Sequence, residues 1–295
     1  MKKSPILYMF VAAVVLLIAS GVVTFRKNFN NPENVFLGML ESNLSSQGVT
    51  RSVTQESNGQ LLSQILQAQV GEDNVIVGQT VLSQVGDGSN GTEIITESIG
   101  TPTTDYIRYS DIATEQKSQS GRDLDFSSVI GVWGQSNVAE GATNGGELFG
   151  EAVLGVVPFG YLDTDERQEF LKSVQELEVY EVDFESVDRQ IVDGRPVYTY
   201  DVKVKPERYI TMLKEFDELL GGSQLSTTDP SAFSESPDLT LEIGVDVWSR
   251  QLKTVNFSDN DRNETYNAYG LHREVTIPEE TISIQELQTR LQLIQ

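Results

Sequence analysis

The chain has one histidine, His272, and no cysteine. Hydrolysis by a Ser–His or Cys–His pair needs a base beside a nucleophile. His272 sits between Leu271 and Arg273 in a segment of strand character, and no nucleophile-elbow pattern occurs anywhere. A zinc site built from His and Cys ligands is excluded by count. Residues 259–264, read as Asp-Asn-Asp-Arg-Asn-Glu, put oxygen at alternating positions like the start of a calcium loop. Glu264 stands where that loop needs glycine, and no suitable bidentate glutamate follows, so a solvated turn is the better reading. Asp163, Asp165 and Glu166 read as acid at a helix start, where the helix dipole favours it. The glycine-rich stretch 141–146 lacks the lysine and the preceding strand of a phosphate loop. The sequence is therefore read as non-enzymatic, with no catalytic group, no metal and no cofactor.

Residues 6–25 are twenty consecutive uncharged residues, flanked by Lys2 and Lys3 on one side and Arg26 and Lys27 on the other. At about 1.5 Å per residue such a helix crosses the ~30 Å hydrocarbon layer once. A cleaved secretory signal is the competing reading, but the apolar core is longer than a signal needs. The small residues Ala19, Ser20 and Gly21 are also followed by Val22, Val23 and Phe25. An uncleaved signal-anchor is favoured. Without cysteine, lipid attachment through a thioether is impossible. The expected division is 1–27 as a short cytoplasmic tail plus transmembrane helix, and 28–295 as an extracytoplasmic domain. That makes a single-pass protein of the cell membrane.

The net charge is −23, and the first 27 residues carry four basic groups and no acid, so the domain is more acidic still. Such a surface repels nucleic acid and anionic headgroups. The absence of disulfides points away from a eukaryotic secreted module and toward a bacterial envelope protein.

Element signals follow in order. Asn31-Pro32-Glu33 starts a helix whose apolar face is Val35, Phe36, Met39, Leu40 and Leu44. From Gly48 the apolar period becomes two. Segments 49–56, 61–70, 74–85, 92–99 and 105–109, separated by turn residues, predict an antiparallel meander. Residues 110–123 read as a loop, 147–158 as an unusually apolar helix, and 163–173 as a second helix. Strand character returns at Glu178, and Asp193-Gly194 is the strongest hairpin signal in the chain. Tyr198, Tyr200, Val202 and Val204 then share one strand face. Pro206 starts a helix seamed by Tyr209, Leu213, Phe216 and Leu220. Residues 223–238 read as a mobile Ser/Thr/Pro-rich loop. Leu239, Leu241, Ile243, Val245 and Val247 alternate cleanly, 252–257 and 264–277 read as strands, and Ser283 to Glu286 form a capping box for a last helix.

The stretch 188–200, DRQIVDGRPVYTY, and the stretch 243–252, IGVDVWSRQL, resemble hairpins of the LolA-like lipoprotein-carrier superfamily, especially its LppX/LprG-type lipoproteins. Tyr269-Gly270 running to Ile277-Pro278 before the last helix is a third likeness. The resemblance covers about residues 178–295. It implies an α+β fold: a strongly curved antiparallel sheet, an unclosed half-barrel, with helices packed on its concave side. It also implies an apolar cavity between sheet and helices for a lipid or acyl chain. Leu148, Phe149, Val153, Leu154, Val157, Tyr198, Tyr200, Leu241, Ile243 and Val245 are the expected lining. Family members are typically free in the periplasm or tethered by a lipidated cysteine, so a spanning helix would be a departure. The expected function is a membrane-anchored domain binding an apolar ligand. The alternative is an envelope sensor, interaction or structural domain on the same fold with no ligand. Bulky side chains filling the interior would favour the alternative.

Overall fold

The computed structural model describes residues 31–57, 59–71, 74–84, 91–118, 120–136, 146–259 and 261–294. The expected spanning segment 6–25 lies outside the described residues. Among the described residues no helix is long and apolar enough to cross a membrane.

The chain folds in the order α1 (Pro32–Asn43), β1 (Gly48–Ser57), β2 (Gln60–Gln69), β3 (Val75–Gln84), β4 (Thr92–Gly100), β5 (Asp105–Thr114) and β6 (Gly134–Gln135). There follow α2 (Glu147–Val153), α3 (Thr164–Glu176), β7 (Tyr180–Val182), β8 (Asp188–Val192), β9 (Arg195–Val204) and α4 (Pro206–Leu219). The last elements are a 3₁₀ turn (Pro230–Phe233), β10 (Leu239–Asp246), β11 (Leu252–Phe257), β12 (Arg262–Asn267), β13 (Ile282–Ser283) and α5 (Ile284–Gln292). All strands belong to one curved, open sheet in the order β13-β6-β5-β4-β3-β2-β1-β12-β11-β10-β9-β7, with β8 also on β9. Every pairing is antiparallel except the short β13–β6 pair. The β1–β12 ladder, from Thr50 opposite Asn267 to Gln55 opposite Arg262, fuses the N-terminal meander to the C-terminal strands.

Period-two alternation decides which face is buried. Val49, Arg51 and Val53 of β1 share a face with Leu66 and Ala68 of β2 and Ile76 of β3. On the other side of β12 the same face carries Tyr198, Tyr200, Val202, Leu241, Ile243, Val245 and Val255. The apolar sides of α1 to α4 join these residues in a single cluster. Asn31 starts α1 by accepting from the Glu33 amide at 3.0 Å, and Phe36 meets Tyr180, Phe184 and Tyr200 edge-on. The Asp163/Glu166 capping box starts α3, and Phe170 packs 5.2 Å from Phe216 of α4.

Several expectations are corrected. The meander is as read, but β5 runs to Thr114, into the expected loop. The helix expected over 147–158 stops at Val153, and Leu154 to Phe159 continue as buried irregular chain ahead of and past Pro158. The insertion 223–238 is tied down: Asp217 accepts from the Leu225 amide at 3.0 Å, and Lys214 donates to the Thr228 carbonyl at 2.6 Å. The expected strand 264–277 ends at Asn267. Ala268 and Gly270, both at positive φ, turn the chain out of the ladder. Residues 268–281 then cross the outward face of the meander as a strap that reaches β13.

Candidate functional site

The strand phase and α2 bring the expected lining residues together. Phe149, Val153, Val157, Tyr198, Tyr200, Leu241, Ile243 and Val245 are all buried in the one core cluster, and Leu154 packs against it. Leu148 is half-buried and lies over Gly100 instead. The same core holds Phe36, Phe159, Phe170, Phe216, Met39 and Met212, which are among the largest fully buried side chains. A void between α1, α3, α4 and β7, lined by Leu40, Leu44, Phe170, Val174, Tyr180 and Met212, measures about 10 Å³. That is at the lower bound for one water molecule.

Sequence reasoning missed a polar cluster inside this core. Arg51 on β1 donates to both carboxylate oxygens of Glu264 on β12, Nε at 3.0 Å and Nη2 at 2.6 Å. Its remaining terminal nitrogen donates to the Glu151 carbonyl of α2 at 2.9 Å, which ties the helix to the sheet. Arg262 Nε reaches Glu264 at 2.8 Å, and the Tyr266 hydroxyl donates to it at 2.6 Å. Burial pushes the Glu264 pKa up, but the charge and hydrogen bonds of Arg51 outweigh it, and the carboxyl is held below its ordinary range. Burial pushes the phenols of Tyr209 and Tyr266 upward, so both are neutral donors. Two arginines and a hydroxyl saturate this carboxylate. It is an internal clamp that ties β1, β12 and α2 together. Arg262, Glu264 and Tyr266 lie in phase with the buried face, so the spacing R-x-E-x-Y is the signal that could have found the cluster. Among the described residues no group of three or more His, Cys, Asp or Glu could hold a metal ion.

Open volume lies beside α1, where Asn34, Leu37, Gly38 and Glu41 face Leu171, Gln175 and Arg250 across about 510 Å³, and on the outward face. The strap 268–281 and the meander enclose a cleft of about 600 Å³, with Ile65, Val77, Ile99 and Trp133 as its apolar part and Gln67 and Arg108 among its polar lining. Arg108 is fixed by Glu97 and stacks 4.7 Å over the Trp133 ring. Gln69 holds the strap by accepting from the Arg273 amide and donating to its carbonyl, each at 2.9 Å.

Fold and interior together define a single-sheet α+β domain whose concave side is closed by its own helices. No family model matches the chain, and no curated protein matches it. Among solved structures, LprF from Mycobacterium bovis is similar at 11% identity and a TM-score of 0.41, over 84% of this chain and 96% of that one. At that identity and score the likeness carries no conclusion about family or ligand.

Proposed function

We propose that the chain is a membrane-anchored, extracytoplasmic interaction or sensor domain of LppX-like architecture that works through its surface. The supporting observation is the packed interior: the residues expected to line a cavity pack against Phe36, Phe170 and Phe216 around a void of about 10 Å³. That is room for about one water-sized group and not for a chain of many methylenes, and native-density packing yields only by displacing side chains. Titration of the full chain in detergent with a fluorescent fatty acid should give no saturable signal. Stoichiometric, saturable uptake would overturn the reading.

Binding of an apolar ligand, a lipid or an acylated molecule, is the second reading. One observation favours it: the small void, lined by apolar side chains and Tyr180, lies between α1 and the α3–α4 pair. Parting of these helices would expose a hydrocarbon-lined slot, and each buried methylene would gain about 0.8 kcal/mol. The same titration separates the two readings.

A further inference from the structure

We propose that one rim of the sheet, carrying Ile191, Val192, Trp248, Leu271 and Tyr161, rests on the bilayer surface. Antiparallel pairing puts the β8–β9 turn, the β10–β11 turn, the exit of β12, the start of β1 and the end of β2 at the same end of the sheet. The five side chains stand on those connections or directly beside them. Ile191 and Val192 precede the β8–β9 turn, and Trp248 is in the β10–β11 turn. Leu271 follows β12 against Gly48, and Tyr161 bridges to Ser45 just before β1. They are between 47% and 67% exposed, and of the other exposed large apolar side chains among the described residues, Leu61, Ile65, Ile130, Leu219, Ile277 and Leu293, only Leu293 exceeds that range.

The path of α1 says what this rim faces. The Tyr200 hydroxyl on β9 donates to the Pro32 carbonyl at 2.8 Å, Arg250 of the β10–β11 turn lies under Gly38, and Tyr269 donates to Asn43 at 3.2 Å. The helix therefore crosses the strands from β9 toward β1, passing this rim at Arg250, and its first residue lies over Tyr200 of the strand that follows Ile191 and Val192. Only residues 26–31 separate Pro32 from the apolar segment 6–25. Six residues reach at most about 20 Å at ~3.3 Å each. The inference rests on reading 6–25 as membrane-spanning, and a tether that short leaves the rim near the headgroups. Chemistry agrees. Tryptophan and tyrosine favour the membrane interface, with Leu, Ile and Val below them. Arg189, Arg195, Arg250 and Arg273 stand along the rim and offset part of its acid, Asp188, Asp193, Asp246 and Glu274 with Glu33 and Glu41 of α1, in a chain of net charge −23. Arg195 stands 5.9 Å over the Trp248 ring and is paired with the buried Asp246, which keeps the indole outward.

The chain has two tryptophans, so Trp133→Phe leaves Trp248 as sole reporter and Trp248→Phe leaves Trp133. The full chain of each variant is reconstituted into phosphatidylcholine vesicles with and without lipid brominated in its acyl chains, then floated on a gradient. The expected result is co-flotation, with Trp248 emission blue-shifted and quenched by bromine while Trp133, stacked under Arg108 at the far edge, keeps its emission. The unaltered chain should lose only part of its emission. Co-flotation with Trp248 no more quenched than Trp133 overturns the rim contact alone, whether the rim is bare or covered by a second copy. Equal quenching of both reports unfolding at the surface and overturns it too. Failure to float overturns the anchor reading and this inference with it.

Discussion

Arg51 and Glu264, 213 positions apart in sequence, form a bidentate pair across the β1–β12 ladder, with almost nothing of either side chain exposed. The pair sits where the two halves of the sheet join. Removing one partner leaves a buried charge short of its counter-charge, which typically costs 3–5 kcal/mol. Arg262 still reaches Glu264, so Arg51→Met should lie near the low end, about 3 kcal/mol by urea denaturation. Arg51→Met combined with Glu264→Leu should cost clearly less than the sum of the two single changes. Strict additivity would mean that the two residues do not act as a pair.

Asp105 predicts a pH dependence of opposite sign to that of Glu264. Its carboxylate faces the start of α2, where Gly146 supplies no side-chain cap, and Oδ2 accepts from the Leu148 amide at 3.4 Å. Oδ1 has no partner among the described residues. Burial raises the pKa to about 6, only partly offset by the Leu148 and Glu147 amides. The folded form therefore binds the proton more tightly than the unfolded chain, whose value is about 3.9, so stability falls as pH rises from about 4 to 6. Glu264 is shifted downward, and its contribution is complete above about 4.3 and lost only on acidification below that. Between pH 7 and 5 the Asp105 effect should dominate, on the order of 1 kcal/mol after solvent screening. Denaturation midpoints should rise on acidification in the parent, and Asp105→Asn should abolish that rise. An unchanged slope in the variant would assign the effect elsewhere.

The sequence reveals those parts of the fold that depend on local chemistry. Asn31-Pro32 starts α1, Asp193-Gly194 turns β8 into β9, and Tyr198 to Val204 alternate, because caps, turns and pleats are set by neighbouring residues. What is not legible needs a partner far along the chain. Residues 268–277 alternate like a strand, but both edges of β12 are already taken by β1 and β11, and no ladder position is left for a continuation. Gly155 and Pro158 end α2 early, although the apolar residues after Val153 are buried as expected. The candidate cavity shows the limit most clearly. Tyr200, Ile243 and Val157 are apolar in pattern and buried in fact, but residue type says nothing about whether the volume beside them is empty. Phe36 from the first helix packs edge-on against Tyr200 there, 5.3 Å between ring centres, and no pattern in either segment announces that meeting.

The seat of α2 depends on one glycine. A methyl on Gly100 would stand 2.8 Å from the Leu148 Cβ and 3.1 Å from the Phe149 nitrogen, and the helix backbone cannot swing aside as a flexible side chain would. Gly100→Ala should cost about 1–3 kcal/mol by overpacking. It should also speed amide exchange across α2. Gly91→Ala, where nothing lies within 4 Å, is the control and should be close to neutral. If both substitutions are neutral, α2 is not seated on β4 in solution.

Gln69 offers the most direct test of the strap. Its side chain points to the outward face, is almost fully buried, and matches both backbone groups of Arg273, donating to the carbonyl and accepting from the amide. Gln69→Ala strands an amide and a carbonyl beneath the chain crossing, with an expected loss of about 1–2 kcal/mol. Because β13 and α5 are held separately by β6 and by Leu287 against Gly134, the loss should be local. Hydrogen exchange at Arg273 and its neighbours should accelerate while the β1–β2 ladder stays protected. Gln69→Glu keeps an acceptor for the amide but sets a carboxylate against the Arg273 carbonyl, so it should loosen the strap at least as much despite its matching shape. Unchanged protection at Arg273 in both variants would mean that the glutamine clamp is incidental and that other contacts hold the strap.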